Sequence, residues 1–251
     1  MSALRFCVLW LVPNQGKAGT AMMTVGLFQV RPAEARDLDR VEELDQLFGN
    51  AALSRDYFEA WLQNHPLGFL VAEFDGRIYA YSMVIYLHRH QIRDNWYHDT
   101  AGGTCASHSP LGEYLYAVSI ASQKQEAARA LFIASRRLFI RSHVYQTLVY
   151  GRLPRFRKWV LEQGYDPETL TPEQKQRLLN LYVNLLYDPY QVFYEGLSFM
   201  PEGGVVDYLE GDDESLNCAL KLVWRNPYYR PLTTDRAVVE APEVAVTTPK
   251  Q

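Results

Sequence analysis

The sequence predicts an α/β domain: a mixed, mostly antiparallel central sheet with helices on both faces. Three observations predict it. Two amphipathic helical segments precede an antiparallel hairpin that turns at Asp75-Gly76. An apolar strand, a long helix without glycine or proline, and a second apolar strand then follow, the sequence form of a strand–helix–strand unit. Hydrophobic residues make up 48% and charged residues 22% of the 251 residues, an ordinary globular balance in a chain long enough to bury a substantial core.

The elements read in order as follows. Thr24 to Val30 alternates and reads as a strand, ended by Arg31-Pro32. Asp37 caps a helix to about Phe48 with Leu38, Val41, Leu44 and Leu47 on one face, and Ser54 caps a second to about Asn64. Gly68 to Phe74 and Arg77 to Leu87 form the hairpin. His88 to Pro110 lacks periodicity and reads as a long loop, a common place for function. Glu113 to Ala121 is the next strand, Gln123 to about Ser142 the long helix, and Gln146 to Arg152 a further strand. A short helix follows from Pro154 to about Gln163. Thr171-Pro172-Glu173-Gln174 is a capping box with proline at the first helical position, opening a helix to about Tyr187. Asp188-Pro189 starts another helix that ends near Gly196. Leu197 to Val206 and Leu216 to Trp224 are the last strands.

These elements define one domain over residues 23–231. Residues 1–22 read as a loosely held extension or as sequence upstream of the true start. Their apolar run, Leu4 to Val12, is too short to span a bilayer and has only Arg5 ahead of it. Residues 232–251 are rich in Pro, Val, Thr and Glu and read as a disordered tail. The cysteines, Cys7, Cys105 and Cys218, are far apart, and no Cys/His spacing suggests a metal site. They read as reduced thiols in a cytoplasmic protein with no membrane association.

Charge is unevenly placed. Residues 121–159 hold Lys124, Arg129, Arg136, Arg137, Arg141, Arg152, Arg155, Arg157 and Lys158 against the single acid Glu126, in a chain of net charge −4. Such asymmetry points to an anionic partner. A solvated helix face paired with acids elsewhere is the competing reading. In Gly151-Arg152-Leu153-Pro154-Arg155-Phe156-Arg157-Lys158-Trp159, arginines alternate with aromatics at a strand end. Arginine forks match phosphates and guanine edges, and Phe156 or Trp159 suits a stacked base. The acidic net charge argues against a broad nucleic-acid surface. A protein partner and a homodimer stay open.

The element order, with Val30-Arg31-Pro32-Ala33 before Asp37-Leu38, resembles the GNAT (GCN5-related N-acetyltransferase) superfamily over about Thr24 to Pro231. Further stretches are similar to the GNAT domain fused to carbon–nitrogen hydrolases. They are Gly102-Gly103-Thr104, Ser107-His108-Ser109-Pro110, Leu115 to Ala121, Gly151-Arg152-Leu153-Pro154, Tyr187-Asp188-Pro189 and Asp213 to Pro227. The resemblance implies a coenzyme A pyrophosphate held on backbone N–H groups at a glycine-rich turn after the central strand. This chain departs from it: between Gly112 and Gly151 there is no glycine, and Glu126 falls about where the key glycine is expected. A carboxylate facing the pyrophosphate would cost about 1–4 kcal/mol.

Two functional readings follow. The first is a non-catalytic receptor for an anionic nucleotide, with no cofactor, in signalling. Scaffold and arginines together resemble a cyanobacterial group of cyclic di-GMP receptors, although the PilZ-type pattern for that ligand, RxxxR followed by D/N-x-S-x-x-G, is absent as a pair. Its ligand contacts would come from Arg152, Arg155, Arg157, Trp159, Phe156, Arg136 and Arg137. The alternative is a coenzyme A-dependent N-acyltransferase using acetyl-coenzyme A. There the resemblance makes Tyr194, in Phe193-Tyr194-Glu195-Gly196-Leu197-Ser198-Phe199, the acid for the leaving thiolate. His108 or Glu113 would be the base.

Overall fold

The computed structural model describes residues 22–185 and 188–231. The expected extension, apart from Met22, and the expected tail lie outside the described residues. So does Tyr187.

The alternation that reads as one first strand is a hairpin. β1 (Met23–Val25) turns at Gly26-Leu27 into β2 (Phe28–Pro32). Gly26 has φ +61°, and that left-handed backbone folds the run in two. α1 (Leu38–Asp45) buries Leu38, Val41, Leu44 and Asp45, and α2 (Arg55–Asn64) buries Phe58 and Trp61. Helical structure stops short of Phe48 as α-helix and tightens to a 3-10 turn over Gln46–Ala51. β3 (Phe69–Phe74) and β4 (Arg77–Leu87) form the predicted hairpin, with a bulge where Ala72-Glu73 face β4. The region expected to be a structureless loop carries α3 (Trp96–Asp99), whose N-cap Asn95 accepts a hydrogen bond from His98 N–H.

β5 (Tyr114–Ser122), α4 (Gln125–Phe139) and β6 (Gln146–Arg152) are the strand–helix–strand unit. α5 (Phe156–Glu162), α6 (Pro172–Asn184) and α7 (Pro189–Glu195) follow. The capping box at Thr171 and Gln174 forms as read from the sequence. β7 (Met200–Val205) begins later than Leu197, because Leu197 to Phe199 bond back onto Tyr194 and Glu195 carbonyls as a helix-end turn. β8 (Ala219–Arg225) ends the fold.

The strands form one sheet in the order β1-β2-β3-β4-β5-β6-β8-β7. Every neighbouring pair is antiparallel except β5 and β6. Alternation sends the residues of one strand to opposite faces. Phe69 and Val71 of β3 join α1 and α2 residues in one core, while Leu70 and Ala72 join Ala127, Leu131 and Ala134 of α4 in another. A third core gathers α5, α6 and α7 against β6 and β8. Among the described residues, no helix is long and apolar enough to cross a membrane.

Candidate functional site

Parallel strands β5 and β6 pair only over Tyr114 to Tyr116 with Gln146 to Leu148. Beyond Ala117 they part, and the gap between their C-terminal ends opens a cavity of about 430 Å³. Cavities of this kind sit where parallel strands end and helices begin. One wall is the end of β5 and the start of α4: Ser119 to Gln125, with Ala128. The other is Val149, Tyr150 and Arg152 of β6 with Tyr190, Phe193 and Tyr194 of α7. Asp45, Phe48, Trp96, Tyr208 and Asp212 close the far side.

At the α4 end, Lys124 is the N-cap and no side chain caps the helix. Uncapped N–H groups with the positive end of a helix dipole favour an anion. Lys124 Nζ adds a positive charge, held 4.2 Å over the Tyr79 ring. Glu126 is exposed and absent from the cavity lining, while Gln125 and Ala128 line it. The helical turn of 100° per residue explains this, since positions 124, 125 and 128 share a face that 126 does not. The repulsion that the sequence suggests therefore does not aim into the cavity.

Tyr194 sits in the opposite wall, 8% exposed, its ring set edge-on against Phe132 and Phe199. Burial pushes its phenol above the ordinary tyrosine value, so it is a neutral proton donor. Gly151 makes room for it: a Cβ there would stand 3.1 Å from the Tyr194 ring.

The two candidate bases lie elsewhere. His108 stacks on His65 with centroids 3.7 Å apart and accepts a hydrogen bond from Tyr86 N–H on Nδ1. Glu113 precedes β5, at the end of that strand remote from the cavity, and accepts from Arg89 N–H and His88 Nδ1. The structure does not bring either together with Tyr194.

The arginines scatter as well. Arg152 alone of those singled out lines the cavity, donating from Nε to Asp212 Oδ2 at 2.8 Å, with its guanidinium 5.1 Å over Phe48. Arg157 pairs with Glu168. Arg155 donates its backbone N–H to Asp188. Arg136 bonds the Leu197 carbonyl and lies between the Phe199 and Trp224 rings, and Arg137 reaches Met23. Phe156 is fully buried, and Trp159 packs beside it against Tyr182. Topology explains the scatter, because α4 runs back antiparallel to β5 for about 22 Å. Its C-terminal Arg136 and Arg137 thus lie at the end of α4 remote from the cavity and from Arg152.

Sequence reasoning passes over Asp45, Tyr81 and Ser119. Asp45 is fully buried; it accepts the Tyr81 hydroxyl on Oδ1 and Leu53 N–H on Oδ2. Burial pushes its carboxyl up to about 6, against the lowering effect of those hydrogen bonds and of Arg152. The signal was present: Asp45 stands seven residues after Leu38, on the face that α1 buries.

No family model matches the chain. The "Uncharacterized N-acetyltransferase YkwB" of Bacillus subtilis is 24% identical over 186 residues, 70% of this chain and 76% of that protein. The "GphF GNAT-like decarboxylase in complex with isobutyryl-CoA" superposes with a TM-score of 0.62 at 17% identity, covering 78% of this chain and 98% of that one. The chain has the GNAT fold. The loading GNATL domain of CurA from Lyngbya majuscula has the same GNAT fold, with a TM-score of 0.61 at 14% identity over 79% of this chain and 97% of that one. The splayed β5 and β6 thus belong to a GNAT, acyltransferase-like fold.

Proposed function

We propose that the protein is an acyltransferase that takes its acyl group from a coenzyme A thioester. The observation that carries this reading is the single cavity wall running from the uncapped start of α4, past Ser119, and facing the buried phenol of Tyr194. One end suits a pyrophosphate and the other offers a neutral acid to a leaving thiolate. The names of the similar proteins, an N-acetyltransferase and a decarboxylase with a bound acyl-coenzyme A, support this alternative over the receptor reading. The cyclic di-GMP reading needs the scaffold and the arginine cluster together, and the arginines meet separate partners. An amine is the acceptor this reading expects.

In the reaction, α4 N–H groups and Lys124 hold the diphosphate, and Ala128 leaves space beside it. The parting of β5 from β6 admits the pantetheine arm between them. Tyr194 gives its proton to the sulfur as the C–S bond breaks.

The test is thermal unfolding with acetyl-coenzyme A. A ligand at about 100 times its Kd adds about 2.7 kcal/mol, a rise of about 5–10 °C for a domain of this size. Ala128→Trp, which fills the space beside the first turn of α4, should abolish the rise. A melting temperature indifferent to about 1 mM acetyl-coenzyme A, far above the binding range expected of such a site, overturns the proposal.

A further inference from the structure

Three side chains from three elements form a hydrogen-bonded chain that ends at the cavity. Asp45, the last residue of α1, accepts the Tyr81 hydroxyl of β4. Tyr81 Oη lies 3.0 Å from Ser119 Oγ of β5. The register of β4 on β5 accounts for this contact. Tyr81 pairs with Ala121, so Ser119 is its diagonal neighbour on the same face. Asp45 and Tyr81 are fully buried, Asp45 behind the far side of the cavity, while Ser119 is half-buried and stands in the wall beside α4.

The polarity of the chain is fixed by counting protons. Tyrosine has one O–H, and it is given to the Asp45 carboxylate. Ser119 must then donate its own hydroxyl proton to Tyr81 Oη. This leaves the Ser119 oxygen with lone pairs only, and no other hydrogen on Oγ, facing the cavity. A structural serine would normally spend its proton on a nearby backbone carbonyl. Here the hydroxyl is aimed instead at a path to a buried carboxylate.

The geometry points to Ser119, Tyr81 and Asp45 as the proton-accepting relay for the acyl acceptor, with Ser119 the group that touches it. This rests on the acyl-transfer reading. The step balances as follows. The acceptor nitrogen attacks the thioester carbonyl carbon, a C–N bond forms, and the carbonyl π pair moves to oxygen. The N–H proton passes to Ser119 Oγ, the serine proton to Tyr81 Oη, and the tyrosine proton to Asp45 Oδ1. The oxygen pair then restores C=O, the C–S bond breaks, and sulfur takes the Tyr194 proton. Asp45 ends protonated and Tyr194 ends as phenolate; Asp45 then releases its proton to solvent and Tyr194 takes one from solvent, so no proton is gained or lost over the cycle.

The charged group facing Asp45 is Arg152 of β6, itself held by Asp212, and Tyr81 is the titratable group in contact with it. The carboxyl, pushed up to about 6 by burial, is ionised at neutral pH yet basic enough to take a proton. Tyr81 acts through Ser119 as a positioning residue.

The test follows free thiol released from acetyl-coenzyme A, with water or a panel of primary amines as acceptor, beside calorimetric binding of acetyl-coenzyme A. Wild type should show a rate that rises with pH through about 6, where Asp45 ionises. Ser119→Ala should lower the plateau rate roughly 10²-fold with acetyl-coenzyme A affinity held within about threefold. Tyr81→Phe removes a bond that lowers the Asp45 value, so any residual rising limb should move to higher pH. A Ser119→Ala protein as fast as wild type overturns the relay and leaves the acyl-transfer reading standing. Binding without any thiol release in wild type, with water and with every amine, overturns the acyl-transfer reading and the relay with it. Failure to bind acetyl-coenzyme A overturns both. Circular dichroism of the Ser119→Ala protein, whose side chain loses one oxygen only, secures that the comparison is between folded proteins.

Discussion

His65 lies with its ring against His108, their planes 18° apart, and its Nε2 is buried without a hydrogen-bond partner. Burial first, and the neighbouring His108 second, push its value down to about 4. The sign of the stability effect follows from linkage. The unfolded chain takes up a proton on this histidine near the ordinary value of 6.5, before the folded chain does. Stability is therefore full above that value and is lost as pH falls toward 4. Between pH 7.5 and 5 the loss should be about 1–2 kcal/mol, and burial depresses His108 in the same direction. Urea unfolding of wild type and His65→Leu at both values would check this, with a flatter dependence expected for the variant. An equal slope in both proteins would remove His65 as the cause. The same contacts explain why His108 misleads a reader of the sequence. A loop histidine near Gly102-Gly103 looks available for catalysis, but its surroundings are set by His65, just past α2, and Tyr86 of β4, both distant in the chain. Tyr194 and Arg152 were legible at the cavity because each follows a recognisable local pattern. Asp45 was legible only as an oddity, an acid on an apolar face.

Among elements, those with long periodic patterns could be read, and short ones could not. α2, the β3–β4 hairpin, β6 and α6 fall within a residue or three of their expected bounds. α3 is four residues long, less than the period needed to show a face, and its Asn95 cap is the one local sign of it. α4 carries the clearest lesson. Its composition and place were legible, and so was the missing glycine. The direction of Glu126 was not, since that depends on the rotational setting of α4 against the sheet. This yields a prediction at the scale of the helix. Glu126→Gln should leave acetyl-coenzyme A affinity within about threefold, a difference under about 1 kcal/mol, because the exposed carboxylate is off the cavity face. A gain of tenfold or more, read by calorimetry, would show that Glu126 does oppose the ligand.

Across the whole molecule, the sheet decides which charges meet. In sequence, Arg152 and Arg157 belong to one basic cluster. In the fold they meet quite different partners. Arg152 ties the end of β6 to Asp212, in the turn that leads to β8, and its side chain is 13% exposed against 1% for the acid. Arg157 meets Glu168 on the surface, at 38% and 69% exposure. The two pairs should therefore differ in energy although they look alike in the sequence. Removing Arg152 leaves a buried carboxylate uncompensated, for which the expected cost is about 3–5 kcal/mol. Removing Arg157 frees two solvated groups, with an expected cost under about 1 kcal/mol. Urea unfolding of Arg152→Ala and Arg157→Ala would measure both. The double replacement of Arg152 by Met and Asp212 by Leu should recover much of the first loss, because no buried charge then remains unpaired. Equal costs for the two single variants would mean that Arg152 is solvated in the native protein. The cavity wall it forms would then be more open than its contacts with Asp212 and Phe48 indicate. A recovered double variant would show instead that this wall is held by charge pairing across the sheet, from β6 to the turn before β8.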